Sequence, residues 1–262
     1  MRIAILAMDD PLYTNSFIKE IIDARKDNIV LFTYVAKGDR MTIGKGKSKT
    51  KYLVSLFFIM GPIAFIKNTL ITITHKFKKI LSNFGLFEDP TVYYYAKKIG
   101  IKVDKINNPN SMEFCSQIEK LNPDIIINQC QAFIKKRLLD IPKIGIINRH
   151  NALLPKNRGR LTPFWVLYKE EKETGVSIHF LEEKLDTGDI IIQKKFSINK
   201  NDNFNTIVEK NYQLAIKAIL EALDLLESAD YQLIANEDHK STYNTVPTLN
   251  EAWEYRKRNI FR

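Results

Sequence analysis

The hydrophobic positions of this 262-residue chain fall into two periods. Residues 2–7 (RIAILA), 29–36 (IVLFTYVA) and 124–130 (DIIINQC) are short apolar runs of the kind that form strands buried on both faces. Residues 13–25 instead set Phe17, Ile21 and Ile22 at helical spacing. Strand, helix and strand in that order predict a right-handed crossover and a parallel pair. The alternation continues with a helix over 91–98, a short strand over 101–105 and a helix over 110–121 with Asn110 or Ser111 as N-cap. A helical turn in FIKKRLLD then leads to a strand over 144–150. A helix over 162–171 has Pro163 in its first turn, and GVSIHFLEE and DIIIQKKFSI read as strands flanking the loop around Asp186. A long amphipathic helix over 202–228 carries Ile207, Val208, Leu214, Ile219, Leu220, Leu223 and Leu226. The tail, 231–262, is mixed, ending in a short helical NEAWEYRKR. These elements predict an α/β fold with a mostly parallel twisted sheet.

One segment breaks the pattern. Residues 52–66 (YLVSLFFIMGPIAFI) are uncharged, and Lys76–Lys79 follow. A membrane span needs about 20 apolar residues, and Gly61-Pro62 interrupts this run. Three readings compete: a helix pair packed on the domain or on a second subunit, an interfacial helix, and a flap beside the substrate. The expectation adopted is helix packed against the protein or a second copy. Membrane contact is not favoured.

Composition narrows the class. Hydrophobic residues make up 45% of the chain, enough for a full core. The net charge of +10 suits an anionic partner, although a Lys-rich composition alone produces the same excess. The densest basic run, Lys45 to Lys51, is expected to be a solvated loop. Two cysteines, Cys115 and Cys130, give no disulfide framework. The opening MRIAILAMDD reaches acid by Asp9 and does not read as a signal peptide, so a cytoplasmic location is expected. The first strand–helix turn, MDDPLYTN, has no glycine, so no dinucleotide fingerprint is present.

Candidate chemistry lies between Asn148 and Asp189. Asn148 and His150 stand two residues apart at the carboxyl end of a strand, where open α/β sheets place their sites. The strand period of two turns both to one face. Asp186 follows on an Asp-Thr-Gly-Asp turn. An amide, an imidazole and a carboxylate can steady an oxyanion, move a proton and orient the proton carrier, the parts needed to pass an acyl group to an amine. No metal is expected: His75, His179 and His239 are isolated and the cysteines form no C-x-x-C.

The stretch resembles the folate-dependent formyltransferases, whose pattern is N-x-H-x-S-L-L-P, R-G, T-G-V-x-x-H and L-D-x-G. It is matched here by Asn148, His150, Leu153, Leu154, Pro155, Arg158, Gly159, Thr174, Gly175, Val176, His179, Leu185, Asp186 and Gly188. Ala152 replaces the usual Ser. The likeness covers about residues 120–195 closely and the N-terminal third more loosely. It implies a Rossmann-like formyltransferase core over 1–195, with an apolar insertion at about 45–88, and a small C-terminal helical extension and tail over 196–262. It also implies that His150 is the acid/base group, that Asn148 donates to the formyl oxygen and that Asp186 orients His150. The implied donor is 10-formyltetrahydrofolate, with its pterin slot at Phe133, Ile134, Lys135, Leu138, Leu181 and Leu185.

The acceptor expected from this resemblance is a nucleotide-linked amino sugar. Asn157, Arg158 and Arg160 are the candidates for its diphosphate, and Trp165 or Tyr93, Tyr94 and Tyr95 for its base. Nucleic acid is not expected as a partner, because too little sequence follows the core for the extra barrel of the methionyl-tRNA enzymes. A homodimer is expected. Aminoacyl-tRNA, a lipid-linked amino sugar, and a catalytically silent homologue that binds folate or nucleotide remain as alternatives.

Overall fold

A computed structural model describes residues 1–36, 48–229 and 231–259. In chain order the elements are β1 (Ile3–Ala7), α1 (Thr14–Arg25), β2 (Ile29–Val35), α2 (Lys49–Met60), α3 (Pro62–Ser82), α4 (Val92–Lys98), β3 (Val103–Ile106), α5 (Met112–Leu121) and β4 (Ile125–Gln129). They continue as α6 (Lys136–Leu139), β5 (Gly145–His150), β6 (Arg158–Gly159), α7 (Thr162–Tyr168), β7 (Glu173–Phe180), β8 (Ile190–Ser197), α8 (Phe204–Ser228), β9 (Tyr243–Asn244) and α9 (Leu249–Arg258).

Among the described residues, seven strands form one sheet in the order β3-β2-β1-β4-β5-β7-β8. The five strands from β3 to β5 run parallel, whereas β7 is antiparallel to both β5 and β8. The chain moves outward from β1 through β2 to β3, then returns to β4 on the other side of β1. That reversal makes a crevice at the carboxyl ends of β1 and β4. The expected α/β class and mostly parallel sheet are present.

Period two divides the core. Ile3, Ile5, Ile125, Ile127, Ile147, Val176 and Ile178 face one side, where α1, α4 and α8 cover them. Ala4, Leu6, Leu31, Ile126 and Ile146 face the other, with Phe114, Cys115 and Ile118 of α5 and Leu138 of α6. On α8, Ala215, Ala218 and Ala222 let the helix approach closely, while Ile219, Leu223 and Leu226 fill the space between. An Asn203–Thr206 capping box starts this helix.

The segment after residue 195, expected as a small helical extension, is packed on the core through Ala215, Ala218, Ile219, Ala222, Leu223 and Leu226 of α8. The main core includes α8, so the boundary would cut through one packed cluster. A third cluster joins α2, α7, α8 and α9 through Ile59, Phe164, Trp165, Phe204, Val208, Ala252 and Tyr255. The tail and the apolar insertion thus pack on each other and on α7 and α8.

The uncharged run forms two helices, broken at Gly61-Pro62 where Gly61 has φ +81°. α2 buries Ser55 and Ile59, whereas α3 buries no residue. The packing expectation thus describes part of α2, but α3 leaves its apolar residues outward. Of the Lys45–Lys51 run, residues 45–47 lie outside the described residues, and Lys49 and Lys51 belong to α2.

Candidate active site

β5 carries Asn148 and His150 to the carboxyl end of the sheet, as expected from their spacing. The antiparallel register sets His179 of β7 opposite Asn148, and Ser177 opposite His150. Such cross-strand partners are close enough for their side chains to interact. The 181–189 loop between β7 and β8 then returns Asp186 to the same place. Asp186 is in the left-handed region at φ +54°, which Asp and Asn tolerate best among residues with a side chain.

The resulting cluster is buried. Asp186 Oδ2 lies 3.6 Å from His150 Nδ1, and Asp186 Oδ1 lies 3.8 Å from His179 Nε2. The backbone N–H of Gly159 donates to Asp186 Oδ2 at 2.9 Å. His150 Nε2 is 2.8 Å from the carbonyl oxygen of Asn157. A carbonyl only accepts, so Nε2 carries a proton, and Nδ1 is the ring nitrogen that faces Asp186.

His179 Nδ1 donates to the carbonyl of Phe180 at 2.8 Å, which leaves Nε2 as an acceptor for Asn148 Nδ2 at 3.4 Å. Burial pushes the His179 pKa down to about 4 against the opposing pull of Asp186, so this ring is neutral near pH 7. Gln129 Nε2 lies 3.5 Å from Asn148 Oδ1, and Gln129 Oε1 accepts from Arg149 Nε at 3.1 Å. Arg149 also donates to the Tyr212 hydroxyl at 2.9 Å and stacks over its ring. Partners on both sides orient the Asn148 amide and leave its second N–H for a ligand.

The structure thus brings Asn148, His150 and Asp186 together, with His179 joining them. In sequence His179 matches the T-G-V-x-x-H pattern and is set aside as a metal ligand, but it is given no part in the site. Ser177 shows how the turn containing Ala152 is held: its hydroxyl donates to Ala152 O at 2.7 Å and accepts from Leu154 N at 3.0 Å.

The outer residues depart from expectation. Asn157 is buried, donates to Glu171 and accepts from Lys169 and Asn244. Arg158 is buried and bound by Asp238 at 2.6 Å and by both oxygens of Asn236. Trp165 is buried with its indole N–H on Thr245 O. These three residues hold the tail, and the protein engages the Asn157 amide, both terminal nitrogens of Arg158 and the Trp165 indole N–H, whereas the buried Arg158 Nε has no hydrogen-bond partner among the described residues. Arg160 is half-buried and its N–H donates to Asn244 O. Tyr93, Tyr94 and Tyr95 are half-buried on α4.

The proposed pterin positions divide similarly. Ile134 and Leu138 lie in the core beneath the sheet, so neither presents a side chain to a ligand. Asn110 occupies the Phe133 carbonyl at 2.7 Å and the Lys135 N–H at 2.8 Å. Phe133 exposes its ring, Lys135 is exposed, and Leu181 and Leu185 are half-buried. Apolar surface at Phe133, Leu181 and Leu185 fits a flat heteroaromatic group, and Asn110 holds the backbone at 133 and 135. Among the described residues, no group of three His, Cys, Asp or Glu side chains is arranged to hold a metal ion.

Comparison with known proteins agrees with this architecture. The family model for formyl transferase matches residues 68–223, and the chain belongs to that family. The methionyl-tRNA formyltransferase of Thermodesulfovibrio yellowstonii is 36% identical over 136 residues, covering 52% of this chain and 44% of that protein. The chain spans about half the length of the curated relatives it matches. A sugar N-formyltransferase from a Shewanella species has a TM-score of 0.57 at 18% identity, covering 94% of this chain and 77% of that one. An N-formyltransferase from Helicobacter canadensis, solved with folinic acid and dTDP-3-aminofucose, gives 0.57 at 16% identity over 94% and 71%. At these identities the structural likeness establishes the fold.

Proposed function

We propose that this protein transfers a formyl group from 10-formyltetrahydrofolate to the amine of a nucleotide-linked amino sugar. The observation that carries the reading is the convergence of half-buried Asn148 with buried His150 and Asp186 at the carboxyl end of the sheet. The folate would supply an activated formyl group, and Phe133, Leu181 and Leu185 would receive its ring.

The chain's own groups then divide the work. Asn148 uses its uncommitted N–H to stabilise charge on the formyl oxygen as the amine nitrogen attacks the formyl carbon. The Nδ1 lone pair of His150 takes the proton that the amine loses, and Asp186 offsets the resulting imidazolium charge. His150 then returns the proton to the departing folate nitrogen. The new bond joins the amine nitrogen to the formyl carbon, and the bond from that carbon to the folate nitrogen breaks. Neutral His179 keeps Asn148 turned toward the substrate without adding a competing positive charge. Burial strengthens each of these interactions relative to water.

The sugar acceptor is supported by the fold's likeness to sugar N-formyltransferases across most of the chain. A second reading, transfer to methionyl-tRNA, is favoured by the sequence relatives. Incubation with 10-formyltetrahydrofolate and separate amino-sugar nucleotides or methionyl-tRNA distinguishes the two by mass gain of one formyl group. Formylation of tRNA with no reaction on any sugar would reverse the acceptor assignment. Folate binding without transfer to any acceptor would favour a silent homologue.

A further inference from the structure

We infer that the outward face of α3 is a docking surface for an anionic lipid bilayer, a proposal independent of the acceptor assigned above. Ile63, Ile66, Leu70, Ile73, Phe77 and Ile80 follow alternating spacings of three and four residues, and Phe84 continues the series beyond the helix. All seven are more than half exposed. The spacing gathers them into one stripe, about 30 Å long at 1.5 Å per residue. Leu86 and Phe87 extend the exposed apolar surface.

The opposite side of the helix attaches it to the protein. His75 Nε2 is 3.0 Å from Asp9 Oδ1, Lys79 Nζ is 3.1 Å from Asp9 Oδ2, and Asn68 donates to Met60 Sδ. The stripe stays exposed along its length, and at Ile63, Ile66 and Leu70 it borders an open groove shared with Pro11, His75 and Pro90. A patch this large normally has an occupant.

Charge selects the occupant. Between Asp39 and Glu88 the chain has no acidic residue, and every Lys and Arg there adds positive charge. Lys67, Lys76 and Lys78 are exposed on the helix that carries the stripe. A second copy could match the three-and-four spacing, but a two-fold contact would place the same basic surface against itself. No carboxylate of this segment could answer those lysines. A bilayer accepts the apolar side chains at its interface while anionic headgroups meet the ammonium groups. Among the described residues no helix is long and apolar enough to cross a membrane, and the proposed contact is along the surface.

Sedimentation of the full chain with phosphatidylcholine vesicles, with and without phosphatidylglycerol, tests the proposal. The mixed vesicles should bind about a hundredfold more tightly at low salt, with the preference shrinking as salt rises. Leu70→Asp with Phe77→Asp should abolish vesicle binding, and Lys67→Glu, Lys76→Glu and Lys78→Glu together should remove the anionic preference. These side chains are exposed, so thermal unfolding should stay near that of the parent protein. Equal binding to neutral and mixed vesicles would overturn the charge argument. A stable dimer that Leu70→Asp with Phe77→Asp dissociates, without vesicle binding by the parent chain, would overturn the lipid assignment in favour of a second copy.

Discussion

Replacing Asp186 with Asn separates charge from shape at the centre of the proposed mechanism. Asn tolerates the left-handed backbone at this position, and its amide oxygen can keep the bond from Gly159 N–H. The amide nitrogen then faces the His179 Nε2 side, where a lone pair is available. The fold should survive, but the negative charge 3.6 Å from His150 Nδ1 disappears. With an effective dielectric constant of about 20, that charge interacts with an imidazolium by about 4–5 kcal/mol. The amide dipole recovers part of this, leaving a loss of about 3 kcal/mol, or about two orders of magnitude in kcat. Tetrahydrofolate release measured at saturating donor and acceptor should show that loss, with KM values changing less than about threefold. A variant with unchanged thermal stability and near-normal kcat would refute the electrostatic role. A fall in activity accompanied by loss of folded protein would instead make Asp186 a structural residue.

Three further substitutions test other parts of the structure. Gly159→Ala places a Cβ 2.1 Å from Asn244 O at a φ of +101°, so urea unfolding should show a loss above about 2 kcal/mol; little change would mean that the tail readily yields. Ile219→Ala on α8 should cost about 2–5 kcal/mol in one unfolding transition, whereas two separated transitions would support the expected boundary near residue 196. His179→Gln tests the linkage of burial to pH. Its folded pKa of about 4 lies below the unfolded value of about 6.5, so the parent retains the full His179 contribution above pH 6.5 and loses about 3 kcal/mol as pH falls through 4. Denaturation at several pH values should show the parent's stability relative to this variant falling between pH 6.5 and 4; a constant difference would refute the shift.

Much of the fold was legible because its strands are apolar runs and its helices are amphipathic. The candidate site was legible for another reason: the strand period places Asn148 and His150 on one face before any tertiary contact is known. The limits follow from physics too. An apolar residue lining a ligand slot and an apolar residue of the core read alike in sequence, and Leu138 lies in the core. Positive charge similarly identifies Arg158 as a candidate anion ligand but cannot reveal that Asp238 and Asn236 surround it. On α3, the same alternation that promises burial is exposed to solvent, because periodicity specifies a face without specifying what covers it.

The tail explains why a motif-based reading locates the chemical groups better than their supporting residues. Residues 155–160 lie between the Asp186 loop and the tail. On one side, Gly159 N–H holds Asp186; on the other, Asn157 and Arg158 donate backbone bonds to Thr242, and β6 pairs with β9. Asn236 reaches the carbonyls of Asp186 and Gly188, while its own oxygens hold Arg158. Moving the tail would therefore disturb Asp186 through two routes, its backbone and its carboxylate. The same turn supplies Asn157 O to His150, so both partners of the His150–Asp186 pair depend on that packing. Positions whose charge or polarity suggested substrate binding thus connect the tail to His150 and Asp186. In the proposed reaction their effect would be through the distance between His150 and Asp186, on which proton movement and charge stabilisation would both depend.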